Sequence, residues 1–317
     1  MKILITGCAG FIGFHLTNTL LQGGKHKILG IDNLNNYYPL KIKLTRLRNL
    51  KKYKNFSFSK GFIENNNFLK KKIKKFKPEL IFHLAAQAGV RYSFKDPKTY
   101  YNSNISGFYN ILENSRTSSV KHLIFASSSS VYGNNKNYPL KENLDINNPI
   151  SFYASTKVCN EILAKSYSNN FKLNITGIRF FTVYGPFGRP DMFIYKLFDS
   201  LIKGKKINVY NYGQHFRDFT YIDDAIKSLI MISKKKKKGF EVFNICSGRP
   251  IFLKKIIKIC EKLTKRKTKI KYLTLQKGDI KKTHGSPTKI FKYTKNIRST
   301  SIESGLTSFY NWFKNYK

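Results

Sequence analysis

The sequence predicts an α/β fold, a doubly wound parallel sheet joined to a smaller C-terminal lobe. Three observations carry that expectation. Apolar runs at 3–5, 28–31, 80–84 and 123–126 are short and uninterrupted, as strands buried on both faces of a parallel sheet must be. Helical stretches at 11–21, 68–76 and 100–115 alternate with them, which is the rhythm of strand–helix–strand crossovers. A glycine-rich turn, Gly7-Cys8-Ala9-Gly10-Phe11-Ile12-Gly13, joins the first strand to the first helix.

That turn gives the first strand its meaning. Glycine permits a tight bend and close backbone approach, and the following helix N-terminus offers N–H donors and a dipole suited to a pyrophosphate. The spacing is GxxGxxG, and strand, turn and helix stand in the order a dinucleotide site requires. Asp32 ends the second strand about twenty residues on, where a carboxylate can accept both adenosine ribose hydroxyls. It repels a 2′-phosphate, so NAD is expected rather than NADP. The first half therefore reads as a Rossmann domain.

The strand at 123–126 runs into Ser127-Ser128-Ser129-Ser130. Ligands of open α/β sheets bind beyond the carboxyl ends of the strands, so these hydroxyls are expected to face a substrate. Next comes YASTK at 153–157, which places Tyr153 and Lys157 four residues apart on one helix face. A phenol ionises near pH ~10, and a nearby ammonium lowers that value. Tyr153 is thus a candidate general base near neutral pH, with Lys157 its partner.

A strand at 175–180 follows, and after Phe181 the rhythm breaks. Gly185, Pro186, Gly188 and Pro190 cluster as a loop. A helix at 221–232 and a strand at 241–245 are expected, with an exposed lysine run at 234–238 between them. An amphipathic helix at 301–316 closes the chain. The expected organisation is an NAD-binding domain over 1–181, rejoined by about 215–247, and a smaller substrate-binding lobe drawn mainly from 182–317.

Composition narrows the class. The 317 residues are 41% hydrophobic, enough for a globular interior. No apolar run nears the ~20 residues of a membrane span. The short apolar strand after Met1-Lys2 does not resemble a signal peptide. Cys8, Cys159, Cys246 and Cys260 lack zinc-ligand spacing, and a reduced cytoplasmic protein is expected. His215 and His284 have no ligand partners in sequence, so no metal site is expected. His83, at a strand end beside the cofactor cleft, reads as structural, and Tyr132 and Tyr184 are expected to pack near the pocket. The net charge of +42 is unusual. Lys, Asn, Ile, Phe and Tyr all have A/T-rich codons, so compositional drift accounts for it without a nucleic-acid partner. No zinc-finger, RNA-recognition or basic-zipper pattern accompanies the charge.

Several motifs occur in order: the glycine turn, HLAAQAGVRYS at 83–93, the serine run, the YxxxK pair, RFFTVYGPFGRPDM at 179–192 and RDFTYIDD at 217–224. Together they resemble the extended short-chain dehydrogenase/reductase superfamily, and within it the UDP-glucuronate 4-epimerases, over essentially the whole chain. The resemblance implies that Gly7, Gly10, Phe11, Ile12 and Gly13 hold the NAD pyrophosphate, with Asp32 on the ribose and Asn33 beside it. It implies that Leu84, Ala85, Ala86 and Asn104 line the cofactor cleft. Ser128 takes the catalytic Ser/Thr position, Tyr153 that of the base, and Lys157 that of its electrostatic partner and nicotinamide-ribose ligand. Arg217 is expected on the substrate pyrophosphate, with Arg189 and Thr182 facing the sugar-nucleotide pocket. Phe62 stands where the family usually has an Asp contacting adenine.

The activity implied is reversible inversion at C4 of a UDP-hexuronic acid, UDP-glucuronate to UDP-galacturonate, through a transient 4-keto sugar. Such a ketone with a carboxylate on C5 is a β-keto acid, prone to lose carbon dioxide. Ser129, Ser130 and Thr182 are candidates for holding that carboxylate by neutral hydrogen bonds; Ser129 and Ser130 serve equally well as backbone partners. A UDP-glucose 4-epimerase, a UDP-glucuronate decarboxylase and a non-catalytic NAD sensor remain the rival readings. A homodimer through a helix pair is also implied.

Overall fold

The computed structural model describes residues 1–234, 238–294 and 299–316. Residues 235–237 of the lysine run lie outside them. The strands are β1 (Lys2–Thr6), β2 (Lys27–Asp32), β3 (Phe56–Lys60), β4 (Leu80–His83), β5 (His122–Ser128), β6 (Ile175–Phe180), β7 (Thr182–Tyr184), β8 (Lys206–Tyr210), β9 (Phe216–Tyr221), β10 (Phe240–Ile245), β11 (Pro250–Phe252) and β12 (Lys269–Leu273). The helices are α1 (Phe11–Gln22), α2 (Leu40–Leu50), α3 (Asn66–Phe76), α4 (Pro97–Tyr100), α5 (Gly107–Arg116), α6 (Phe152–Phe171), α7 (Phe193–Lys203), α8 (Ile222–Ser233), α9 (Leu253–Thr264), α10 (Thr288–Thr294) and α11 (Ile302–Tyr316).

Seven parallel strands form the main sheet in the order β10-β6-β5-β4-β1-β2-β3. β6 is buried at every position and β1 at all but its first; Ile3, Leu4 and Ile5 make β1 an apolar run, whereas β6 also buries Thr176 and Arg179. One face packs its Ile3, Ile5, Phe82 and Phe243 against α1 and α8. The other packs Leu4, Ile81, Leu123 and Phe125 against α3, α5 and α6. The chain moves outward from β1 in both directions, through β2 and β3 on one side and β4, β5, β6 and β10 on the other. The order therefore reverses between β1 and β4, and a crevice opens at their carboxyl ends.

Three features differ from the sequence expectation. The helix expected over 100–115 is α4, then a π-helical turn at 101–106, then α5. α2 and β3 carry weak signals: α2 follows Pro39, which offers no side-chain cap, and β3 is a half-exposed edge strand. Beyond Phe181 the order is richer than expected. β7, β9 and β11 form one small sheet, and β8 pairs with β12 in another. Phe198, Phe309 and Phe313 pack α7 against α11, with the Phe198 and Phe309 rings stacked at 5.3 Å. α8 and β10 return to the main sheet, where β10 pairs with β6. A cavity of about 1390 Å³ lies between the carboxyl ends of the main sheet and the elements after Phe181.

Candidate active site

The glycine turn opens onto this cavity, each glycine for a different reason. Gly7 adopts φ 73°, and a Cβ there would sit 2.7 Å from the Ala85 nitrogen, so the turn presses against the backbone leaving β4. A Cβ at Gly13 would fall 2.0 Å from the Gly7 carbonyl oxygen, so only glycine lets α1 pack on the turn. Gly10 caps α1 with no side chain, and the first turn holds no acid. The donors of a bare helix N-terminus thus meet the cavity beside Phe11 and Ile12. Cys8 points away, against Gly30 of β2.

Asp32 sits on the same cavity at the end of β2. Its carboxylate accepts from Ala9 N–H at 3.1 Å and Leu34 N–H at 2.8 Å. These bonds fix its orientation and leave lone pairs for two hydroxyls. Asn33, Leu84, Ala85 and Ala86 line the cavity with it. The residues present fit a dinucleotide: an uncapped helix end for the pyrophosphate and a fixed carboxylate for the ribose. Asn104 lies beneath this wall instead. Its amide accepts from Gln87 N–H at 2.8 Å and donates to the Gln87 carbonyl and the Thr156 hydroxyl, fastening the strand exit to α6. Phe62 is 52% exposed, and the cavity wall there is made by Gly61 and Ile63.

α6 brings the pair of the YxxxK motif to the end of β5. Ser151 caps the helix by accepting from Ala154 N–H at 3.1 Å, which sets Tyr153 in the first turn. Lys157, one turn on, donates to the Ala126 carbonyl at 2.8 Å, and its Nζ lies 6.0 Å from the Tyr153 ring centroid. Ser128 shares a hydrogen bond with Tyr153. Ser128, Tyr153 and Lys157 therefore converge.

Their electrostatics differ from the sequence expectation. Burial holds the Tyr153 phenol above its ordinary value; the Ser128 hydrogen bond and the Arg189 charge pull it back only in part. Burial lowers Lys157 to about 8, against the opposing pull of Glu161. Burial thus keeps the phenol neutral in the protein alone, and Lys157 donates to a carbonyl rather than to Tyr153. His83 is buried and lowered to about 3 by desolvation and then by Lys157; it bonds Thr6 Oγ1 at 2.8 Å, a neutral structural residue.

The four serines have different partners, because the strand ends at Ser128 and a 3-10 turn begins at Ser129. Ser127 turns to α6 and donates to Glu161 at 2.5 Å. Ser128 accepts from Ser130 N–H at 3.1 Å. The hydroxyls of Ser129 and Ser130 face the cavity and engage no described protein group, and Thr182 lines it opposite them. Arg189 also lines it, with its guanidinium paired to Asp191 at 3.0 and 2.5 Å. Arg217 projects from β9, where Asp218 on the opposite face is fixed by Ser247, Gly248 and Gly285. Arg217 donates to the carbonyls of Phe216 and Lys281, and burial, only partly offset by Asp279, lowers it to about 10. Tyr184 lines the cavity, whereas Tyr132 is buried and donates to Asn244 at 2.7 Å. Among the described residues, no cluster of His, Cys, Asp or Glu has the geometry of a metal site.

Sequence reasoning missed Lys43, Tyr37, Asp191 and the Arg91–Asp279 ion pair at 2.8 Å, all on the cavity wall. Lys43 was hidden because α2 was not foreseen; its spacing from the apolar Ile42, Leu47 and Leu50 was the available signal.

Residues 3–246 match the model of the NAD dependent epimerase/dehydratase family. The chain is 41% identical to a UDP-glucuronate 4-epimerase of Thermodesulfobacterium geofontis, over 98% of this chain and 95% of that one. It is 38% identical to UDP-glucuronate 4-epimerase 5 of Arabidopsis thaliana, over 100% of this chain and 76% of that one. Its fold matches the UDP-glucuronic acid 4-epimerase of Bacillus cereus, crystallised with UDP-glucuronic acid and NAD, at a TM-score of 0.95 and 33% identity with both chains fully covered.

Lys157 gives a stability test. Its folded value of about 8 lies below the ordinary 10.5, so between these values the unfolded chain holds more protons. The cost of burying the cation is full below about pH 8 and fades toward about pH 10.5, so its contribution to stability rises with pH. Denaturant unfolding of wild type and Lys157→Met isolates this residue. The stability of the variant relative to wild type should fall from about pH 8 to about pH 10. A pH-independent difference would contradict a buried, charged Lys157.

Proposed function

We propose that this chain, which belongs to the NAD dependent epimerase/dehydratase family, interconverts UDP-glucuronate and UDP-galacturonate by inverting C4. The observation that carries the reading is the convergence of Ser128, Tyr153 and Lys157 on one cavity with the glycine turn and Asp32. It also weighs against a non-catalytic NAD sensor, which has no need of that set.

NAD, held along Gly7 to Gly13 and at Asp32, would supply the redox chemistry as acceptor and donor of the C4 hydrogen with its electron pair. The protein's part is proton transfer and orientation. Tyr153 acts as its phenolate, taking the C4 hydroxyl proton; burial opposes that form, and the Ser128 hydrogen bond and the positive charges of Arg189 and Lys157 favour it. Ser128 hydrogen-bonds the developing carbonyl oxygen. Arg217 holds the diphosphate of the sugar nucleotide, so the keto sugar can turn about that anchor and be reduced on its other face. Asp32 favours NAD by repelling a 2′-phosphate.

The carboxylate must survive the keto stage. Arg189 is already paired to Asp191, so little free cationic charge remains there. The unengaged hydroxyls of Ser129, Ser130 and Thr182 hold the carboxylate by neutral bonds, away from the alignment that breaks the C5–carboxylate bond.

A second copy of the chain is the proposed partner. Tyr101, which opens the π-helical turn between α4 and α5, Tyr109 on α5 and Ile162 on α6 are 54%, 49% and 60% exposed, and α5 packs on α6. No described helix is long and apolar enough to cross a membrane, and the four cysteines are free. A cytoplasmic location is proposed on the cysteine state.

Incubation with UDP-glucuronate should yield UDP-galacturonate, and Tyr153→Phe should lower turnover at least about 10²-fold with NAD still bound. UDP-pentose as the main product would favour a decarboxylase; activity confined to UDP-glucose would favour the other epimerase. Replacing Ser129 and Ser130 together by Ala should raise the UDP-pentose share, and an unchanged product ratio would sink their role. Ile162→Glu should convert a dimer to monomers by light scattering, whereas a wild-type monomer would refute the interface.

A further inference from the structure

Arg46 on α2 is fully buried, and its guanidinium meets no carboxylate among the described residues. Nη1 donates to the Ala9 carbonyl in the glycine turn and to the Tyr38 hydroxyl, both at 2.9 Å. Nη2 donates to the Phe187 carbonyl at 2.6 Å and reaches that of Gly188 at 3.5 Å. Nε has no partner. One side chain thus bridges the turn that faces the cofactor site and the loop that leads into Arg189.

Both ends of the bridge are held. The Ala9 peptide lies between two charges, its N–H on Asp32 and its carbonyl on Arg46. The loop is docked again by His15, whose Nε2–H donates to the Pro186 carbonyl at 2.8 Å. Burial lowers this histidine to about 4, so it acts as a neutral donor. Phe187 takes φ 54°, a backbone state rare for a side-chain-bearing residue, and its ring packs 4.9 Å from Phe14 and 5.0 Å from Trp312. A strained loop persists only where its surroundings impose it, and Arg46 and His15 are the polar part of that imposition.

The charge is the second observation. A desolvated guanidinium held only by carbonyls and a phenol is costly, and a bound diphosphate at the bare N-terminus of α1 would bring compensating negative charge to the turn. We propose that Arg46 is a positioning residue that couples occupancy of the glycine turn by NAD to the placement of the 186–189 loop and hence to binding of the UDP-sugar. The inference rests on the function proposed above. Filling the turn fixes Ala9, Ala9 fixes the guanidinium, and the guanidinium sets the loop that carries Arg189. Linkage makes the effect reciprocal, so the UDP-sugar must tighten NAD by the same factor.

The test uses the full chain in a Tyr153→Phe background, which binds without turnover. UDP-glucuronate affinity is measured by calorimetry with and without saturating NAD. NAD affinity is followed through Trp312, the single tryptophan, whose ring touches the loop. NAD should tighten UDP-glucuronate by about fivefold or more with Arg46 present. In Arg46→Lys, which keeps the charge but not the two-ended reach, that factor should fall to about one and NAD should bind about tenfold more weakly. A folded Arg46→Lys protein with undiminished coupling overturns the proposal, as does a parent that binds both ligands without coupling. Should Arg46→Lys fail to fold by circular dichroism, His15→Phe carries the test. It removes only the Pro186 tie and should at least halve the coupling while leaving NAD affinity unchanged; full coupling in that variant overturns the proposal. A parent that binds no NAD fails the proposed function itself, a separate outcome.

Discussion

Glu161 holds the site together. Its carboxylate accepts from Ser127 Oγ at 2.5 Å and from Arg179 Nε and Nη2 at 3.0 and 2.7 Å. Arg179 also donates to the Glu142 carbonyl and lies over the Tyr132 ring at 4.8 Å. Both charged side chains are about 95% buried. The network ties α6 to β5 and β6 one turn beyond Lys157. Loss of one partner would leave an unpaired buried charge, at a cost of about 3–5 kcal/mol. Because α6 cannot slide or roll against the strands, Tyr153, Lys157 and Ser128 keep their mutual placement. The negative charge of Glu161 also keeps Lys157 more easily protonated than burial alone would allow.

The helix that carries Tyr153 and Lys157 therefore rests on the rigid sheet, while the facing wall of the cavity is held by side-chain ties made one by one. Asp218 receives four hydrogen bonds from Ser247, Gly248 and Gly285, which orders the segments around Arg217. Asp191 orders Arg189 in the same way, and in doing so neutralises it. The chemistry asks for a fixed proton acceptor and a sugar free to turn about its diphosphate. In the function proposed above, Tyr153 on the rigid wall and Arg217 on the other meet both demands.

The parts legible in the sequence are those where one physical requirement dominates. β1, β2, β4 and β5 could be read because each carries a short apolar run, as a strand buried on both faces requires. The glycine turn could be read because a Cβ at Gly7 or Gly13 would strike backbone. α2 and the edge strand β3 were not legible, since α2 buries Lys43 and Arg46 on its inward face and exposes Leu44, and β3 has no full apolar pattern. That omission hid Lys43 and Arg46 as well. Asn104 was expected on the cleft wall, but the π-helical turn that carries it places its amide on Gln87 and Thr156. The phenol of Tyr153 was expected to be lowered by Lys157, yet spacing along a helix carries no information about desolvation, and burial prevails.

The central claim is that the C4 hydrogen leaves with its electrons and returns to the same carbon within one closed site, while Tyr153 handles only the hydroxyl proton. UDP-glucuronate deuterated at C4 tests this most directly, with the UDP-galacturonate product analysed by NMR. The account predicts that deuterium is retained at C4 in water. Replacement of that deuterium by solvent hydrogen would contradict it, because it would mean that C4 is inverted by proton exchange rather than by reversible oxidation.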